Sequence, residues 1–351
     1  MKFRTLAIAM LSLALVQTGW SAPASAANAQ TSSKVSTSAG KGTRQAKAPA
    51  KKTVKKRVGR KYAARAETRK VSLRRTPAPL IGAEEAPLQL DALGMPHLRS
   101  AAFVVANQTT GHVILERKSE SILPIASITK LMTAMVVLDG GQSLSEEIVI
   151  SEDDIDMLKG TGSRLGLGTR LTREEMLHLA LMSSENRAAS ALARHYPGGL
   201  PAFVTAMNIK ARMIGLSDTR FSDSTGLTPE NVSSPRDLVR MVSAAATYPL
   251  IREFSTTSER YVQIGSRMRR FGNTNSLVRS PGWEIGLSKT GYIREAGRCL
   301  VMQAWLLKQP VIIVLMDSDG RYSRTADAVR VKKWIEAAGA QRLAALAARE
   351  G

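Results

Sequence analysis

Strand-like runs stand at both ends of the apolar part of this chain with helical patterns between them, and that order most limits the fold. "SAAFVVANQTTGHVILER", from Ser100, reads as two strands joined by a turn at Thr109 to Gly111. Strands return at Glu259 to Ile264, Ile285 to Lys289, Arg298 to Leu307 and Val311 to Asp317. Between them, a helix fits Ser127 to Leu138, with Leu131, Met135 and Leu138 at helical spacing. "TREEMLHLALMSSENRAASALARHY" is helical again, capped by Thr172 with Glu175 three residues on, and interrupted at Ser183 to Asn186. Further helices fit Ala202 to Ile214 and Pro235 to Ala246, the latter opening at Ser234, and a last one spans Thr325 to Ala338. The terminal strands then meet in one antiparallel sheet with helices on its faces, an α+β fold without internal repeats.

The net charge of +21 invites a nucleic-acid reading, but its distribution argues against one. Residues 31–75 carry 16 Lys and Arg against one acid, Glu67, amid Ala, Ser, Thr and Pro. Without that segment and the signal-like start, 32 basic and 28 acidic residues remain, so the globule is nearly neutral. Lys2 and Arg4 precede the apolar run "TLAIAMLSLALV", and Ala24-Ser25-Ala26 supplies a small-x-small cleavage pattern. The expected organisation is a signal peptide over 1–26, a disordered basic tail over 27–90 and a globular domain over 91–345. The tail is a solvated linker or an electrostatic tether to an anionic wall or membrane surface. The expected location is outside the cytoplasm, soluble, with no transmembrane anchor after cleavage. Cys299, the only cysteine, forbids an internal disulfide and reads as a small buried residue.

Three short motifs carry the chemistry. In "LPIASITKLM", Ser127 and Lys130 are three apart at a helix start, so a hydroxyl and an amine share one face near free backbone N–H groups. The pattern alone is weak, since the tail holds a copy at Ser38 and Lys41. "SSEN" adds Ser184 and Asn186 in the helical break, a hydroxyl able to relay a proton and an amide able to hold a peptide. "LSKTGY" adds Lys289 and Thr290, suited to a carboxylate, at the end of a strand, and Gly291, which lets a substrate backbone approach.

Ser-x-x-Lys, Ser-x-Asn and Lys-Thr-Gly, in this order and these settings, resemble the penicillin-binding proteins and serine beta-lactamases. Within that superfamily the chain is similar to the low-molecular-mass D-alanyl-D-alanine peptidases. "SRLGLGTRLT", "FSDSTGLTPENVSSPRDLVRM" and "KTGYIREAGRCLVM" match their turn, loop and hairpin. The likeness extends to the soluble endopeptidases of the penicillin-binding protein 7/8 type, although Glu185 within the second motif and the long basic tail depart from it. The carboxypeptidase relatives carry a further β-rich domain and a membrane-anchoring helix, whereas about 60 residues follow Lys-Thr-Gly here.

The resemblance implies a beta-lactamase/DD-peptidase-like fold with a helical subdomain. It also implies a periplasmic hydrolase of peptidoglycan cross-links that needs no cofactor or metal and is trapped by beta-lactams. Ser127 is then the nucleophile and Lys130 its base, with a pKa lowered by desolvation and by the charge of Lys289. Ser184 passes the proton on, Asn186 holds the acyl side, and Lys289 and Thr290 hold the leaving side. The backbone N–H groups of Ser127 and Tyr292 form the oxyanion hole.

Other readings are weaker. No Gly-x-Ser-x-Gly elbow occurs, and His97, His112, His178 and His195 lack metal spacing, His178 reading as a core or surface residue. "GTGSRLGLGT" lacks the Gly-Lys ending of a phosphate loop and reads as a hairpin. Glu230 is the nearest candidate for the deacylating glutamate of a beta-lactamase, yet the surrounding Glu-x-x-Leu-Asn pattern is missing, so penicillin should deacylate slowly. The alternatives are a D-alanyl-D-alanine carboxypeptidase and, in another class, a non-catalytic wall-binding protein acting through its tail.

Overall fold

The structure, a computed structural model, describes residues 88–92 and 94–350. The expected signal peptide and nearly all of the basic tail lie outside them. Strands β1 (Ser100–Asn107) and β2 (Val113–Arg117) form the expected hairpin. Asn107 Oδ1 fixes its turn by accepting the N–H groups of Thr109 at 2.9 Å and Thr110 at 3.0 Å. A short strand, β3 (Leu123–Pro124), leads into a 3-10 turn over Ala126–Thr129 and helix α1 (Lys130–Asp139).

Strands β4 (Glu147–Val149) and β5 (Arg170–Thr172) pair, and helices α2 (Arg173–Met182), α3 (Asn186–Arg194) and α4 (Gly199–Met213) follow. Strand β6 (Val232–Ser233) pairs with β3, then come α5 (Pro235–Ala245), α6 (Pro249–Thr256) and the hairpin β7 (Glu259–Ile264) and β8 (Arg267–Gly272). The chain closes with β9 (Ile285–Ile293), β10 (Gly297–Leu306), β11 (Gln309–Ser318) and α7 (Ser323–Glu350).

The first and last strands do meet, in a five-stranded antiparallel sheet of order β2-β1-β11-β10-β9. Strand β11 shows why helices must cover both faces. Val311, Ile313 and Leu315 pack with Ala328, Val329 and Val331 of α7, while Ile312, Val314 and Met316 join the core built with α1 to α6. Successive side chains point to opposite faces, so a strand buried on both sides reads as the unbroken apolar run "VIIVLM". Each such buried side chain contributes about 1.5–3 kcal/mol of transfer free energy.

The helix ends follow their sequence signals. Thr172 and Glu175 form a reciprocal capping box on α2, and Ser234 Oγ accepts the Asp237 N–H at 3.2 Å at the start of α5, with Pro235 in the first turn. Elsewhere the structure corrects the expectations. Lys289 to Gly291 sit in the middle of β9, because its pairing with β10 continues to Ile293 opposite Gly297. The segment Glu259–Ile264 pairs with β8 in a separate hairpin, and "RMRR" in β8 hid that strand because it lacks apolar alternation.

The glycine-rich stretch 160–169 is no hairpin by itself; it completes the irregular connection between β4 and β5. Ser127 lies in a 3-10 turn and the α-helix begins at Lys130. Helix α7 continues beyond Ala338 to Glu350. Cys299 is buried, and burial raises its thiol to about 11, in line with an inert packing residue. His178 is a core residue, stacked on Phe254 with ring centroids 4.3 Å apart.

Candidate active site

The turn that carries Ser127 is forced into shape. Ala126 before it has φ +48°, a left-handed conformation costing a non-glycine residue about 1–3 kcal/mol. Two glycines press on it from opposite elements. A Cβ on Gly226 would fall 2.0 Å from the Ala126 carbonyl oxygen, and one on Gly291 would fall 2.9 Å from the Ile125 oxygen and 3.2 Å from the Ser127 nitrogen. The backbone that Gly291 admits is therefore the protein's own turn, a closer partner than the substrate expected there.

Asn231 completes the grip. Its carbonyl accepts the Ile125 N–H at 3.0 Å, and its Nδ2 donates to Thr129 Oγ1 at 3.0 Å and to Asp223 Oδ1 at 2.7 Å. Asp223 in turn accepts the Gly226 N–H at 2.7 Å, so the "STGL" loop and the Ser127 turn hold each other.

Lys130 is fully buried, and its Nζ donates to Ser127 Oγ at 2.9 Å, Asn186 Oδ1 at 2.8 Å and the Thr225 carbonyl at 2.7 Å. Burial lowers its pKa to about 7, against the opposite pull of the Asp223 and Glu185 carboxylates. The neutral amine keeps two N–H groups, and Asn186 Oδ1 and the Thr225 carbonyl can only accept. Its lone pair is left facing Ser127 Oγ, the one partner that can donate a proton back. Asn186 is fixed in this orientation because its Nδ2 donates to Thr161 Oγ1 at 3.0 Å, and Thr161 Oγ1 donates to Asp156 Oδ2 at 2.7 Å. Burial works against the charge of Asp156, but bonds from the Leu158, Lys159 and Thr161 amides and the Thr161 hydroxyl hold its pKa below the ordinary value.

Ser184, at the break between α2 and α3, has φ +61° and accepts from Lys289 Nζ at 2.9 Å. Lys289 is buried, and burial first, then the charges of Lys130 and Arg324, push its pKa well below the ordinary value. The expected influence of Lys289 on Lys130 thus falls mainly on Lys289 itself. Thr290 Oγ1 donates to Thr274 Oγ1 at 2.7 Å, and Tyr292 is exposed. Glu185 is buried and accepts from Ser163 Oγ at 2.7 Å and Arg164 Nε at 3.3 Å, tying the start of α3 to the glycine-rich loop. The Arg164 guanidinium lies 3.9 Å from the centre of the Phe271 ring of β8.

These groups border one cleft of about 700 Å³, lined by Ser127, Ser184, Asn186, Thr290, Gly291 and Tyr292 among others. Lys130 and Lys289 are buried beside it, each in direct contact with a serine on its wall. Sequence reasoning missed Asp156, Thr161 and Arg324. The first two sit in an irregular loop without a motif, and Arg324, on α7, donates to the Gly291 carbonyl at 2.8 Å through a contact visible only after folding. Burial and the neighbouring Arg298 lower Arg324 to about 10. Among the described residues no group of His, Cys, Asp or Glu is arranged to hold a metal ion, and no helix is long and apolar enough to cross a membrane.

Residues 90–320 match the D-alanyl-D-alanine carboxypeptidase family, the peptidase S11 group. The chain belongs to this family. Within the S11 peptidases it is 46% identical over 248 residues to a D-alanyl-D-alanine endopeptidase of Pseudomonas aeruginosa, covering 69% of this chain and 80% of that one. It is 45% identical over 243 residues to a D-alanyl-D-alanine endopeptidase of Escherichia coli, covering 69% and 78%. The crystal structure of a Streptomyces DD-transpeptidase superposes with a TM-score of 0.64 at 26% identity, covering 69% of this chain and 98% of that one. The S11 peptidase is thus a serine-type D-alanyl-D-alanine hydrolase with the DD-peptidase fold, as its three motifs imply.

Proposed function

We propose that this S11 peptidase acts as a DD-endopeptidase, cutting D-alanyl cross-links in peptidoglycan through an acyl-enzyme on Ser127. The observation that carries the mechanism is the Lys130 amine, brought to about 7 by burial and bonded to Ser127 Oγ at 2.9 Å. The neutral amine takes the Ser127 proton as Oγ bonds to the D-alanyl carbonyl carbon. The developing oxyanion lies between the backbone N–H groups of Ser127 and Tyr292, whose strand closes on the Ser127 turn at Gly291.

When the C–N bond breaks, Ser184 gives its proton to the leaving amine and takes up the proton that Lys130 received from Ser127, which returns Lys130 to its neutral form, while Lys289 orients the Ser184 hydroxyl by donating to it at 2.9 Å. Thr290 and Arg324 border the leaving side and suit its carboxylate. Asn186 orients Lys130 through Oδ1 and meets the acyl side at the cleft surface. Water then hydrolyses the ester.

A beta-lactam presents a cyclic amide to the same serine, and slow deacylation follows because, among the described residues, the glutamate that lines the cleft, Glu295, is tied to Lys159. Glu230 is exposed and does not border the cleft, while Glu185 is engaged by Ser163 and Arg164. Cleavage of cross-links is preferred to carboxypeptidase action because the two relatives of 45–46% identity are both named endopeptidases. Export through the signal-like segment, periplasmic residence and tethering by the basic tail complete the proposal, motivated by the sequence of residues 1–90.

The test is intact mass after incubation with benzylpenicillin, with Ser127→Ala alongside, followed by digestion of purified cross-linked muropeptides. One stoichiometric adduct absent from the variant, with cross-links cut, is expected. Release of terminal D-alanine alone would favour the carboxypeptidase. A protein that neither forms the adduct nor hydrolyses penicillin would leave the wall-binding reading.

A further inference from the structure

The cleft does not end at Tyr292. Tyr292 and Arg294 also border a second groove of about 570 Å³, whose wall carries Arg99, Arg298 and Arg321. Strand register builds it: Ser318 of β11 stands opposite both Ser100 of β1 and Arg298 of β10, which brings Arg99 and Arg298 to the same end of the sheet. Asp327 anchors this end by accepting the N–H groups of Arg99 at 3.1 Å and Ser100 at 2.8 Å. A Cβ on Gly297 would fall 2.3 Å from Asp317 Oδ1, so β10 begins tight against the end of β11.

Four arginines line this groove together with two acidic residues, Asp317 and Asp319. None of the four makes an ion pair among the described residues. The Arg298 guanidinium instead lies 4.4 Å from the centre of the Tyr292 ring, and that of Arg321 lies 5.5 Å from the Tyr322 ring. A groove with net positive charge and unengaged planar donors suits carboxylates.

The direction of β9 says which carboxylates. If Lys289 and Thr290 mark the leaving side and Gly291 lies against Ser127, then Tyr292 and Arg294 lie on the acyl side, toward the groove. We propose that the arginine-lined groove binds free carboxylates of the peptide stem on the acyl side of the scissile bond. This rests on the peptidase reading above and adds the anionic character of the substrate it selects.

The experiment uses two synthetic cross-linked stem-peptide dimers, identical on the leaving side, with acyl-side carboxylates either free or amidated. For the full chain, kcat/KM should favour the free form about tenfold, mainly through KM. In the double variant Arg298→Gln with Arg321→Gln the ratio should fall toward one. Because the ratio is taken within one protein preparation, partial unfolding cannot imitate its loss. Equal kcat/KM for the two dimers with the unaltered protein, or an undiminished preference in the variant, overturns the groove assignment while the peptidase reading stands. Failure of the unaltered protein to acylate with benzylpenicillin, which needs no stem carboxylate, overturns both.

Discussion

The two walls of the cleft are held in different ways. The Ser127 turn is gripped by buried backbone, with Gly226 and Gly291 against it and Asn231 beneath, and Lys130 enclosed behind it. The opposite wall, the loop around residues 156–161, stands on polar contacts near solvent, and its Met157 and Leu158 are 89% and 61% exposed. Its reach across to the β9–β10 turn is the Lys159–Glu295 ion pair at 2.5 Å. The chemistry is therefore fixed by packing that the whole fold maintains, and the shape offered to substrate by contacts that can be remade. Damage to the first wall should cost stability together with rate, damage to the second chiefly binding.

The sharpest break is at the proposed reacting pair, Ser127 and Lys130. Ser127→Ala should abolish the penicillin adduct, and Lys130→Gln should slow acylation about 10²–10⁴-fold, read by stopped-flow mass or fluorescence. Gly226→Ala tests the grip itself. A Cβ 2.0 Å from the Ala126 oxygen at φ +80° should cost about 2–4 kcal/mol in denaturant unfolding and slow acylation about 10²-fold. An unchanged rate in a stable variant would refute the idea that packing sets the nucleophile.

As the proposed base, Lys130 acts in its neutral form, so acylation should fall about tenfold per pH unit below about 7 and level off above it. A flat profile from pH 5 to 8 would assign the proton to another group. Thr161→Val removes the acceptor of Asn186 Nδ2 and should slow acylation about five- to tenfold with little loss of stability. Glu295→Gln releases the exposed strap and should change KM for cross-linked peptides by at most about fivefold, with no measurable change in Tm. A large fall in Tm there would erase the contrast between the walls.

Much of this was legible before folding because it depends on local pattern. The apolar runs of β1, β10 and β11, the caps at Thr172 and Ser234, and the break at Ser183 to Asn186 all follow from period, capping chemistry and helix propensity. The three motifs named the groups that border the cleft because the chemistry restricts residue type as well as spacing. Strand β8 stayed hidden because its arginines face solvent without alternation, and helix α6 because only three residues separate it from α5.

What the chain alone determined is therefore most of the elements and the motif side chains that meet at the cleft. Tertiary structure alone decided why Ser127 sits in a strained turn, since residues 226 and 291, distant in sequence, must close on it with no room for a Cβ. It alone decided that Lys130 loses its water and meets two obligate acceptors, and that arginines from three separate segments share one groove. Burial, backbone approach and the summed field of charges are properties of three-dimensional proximity, which a local sequence pattern does not encode.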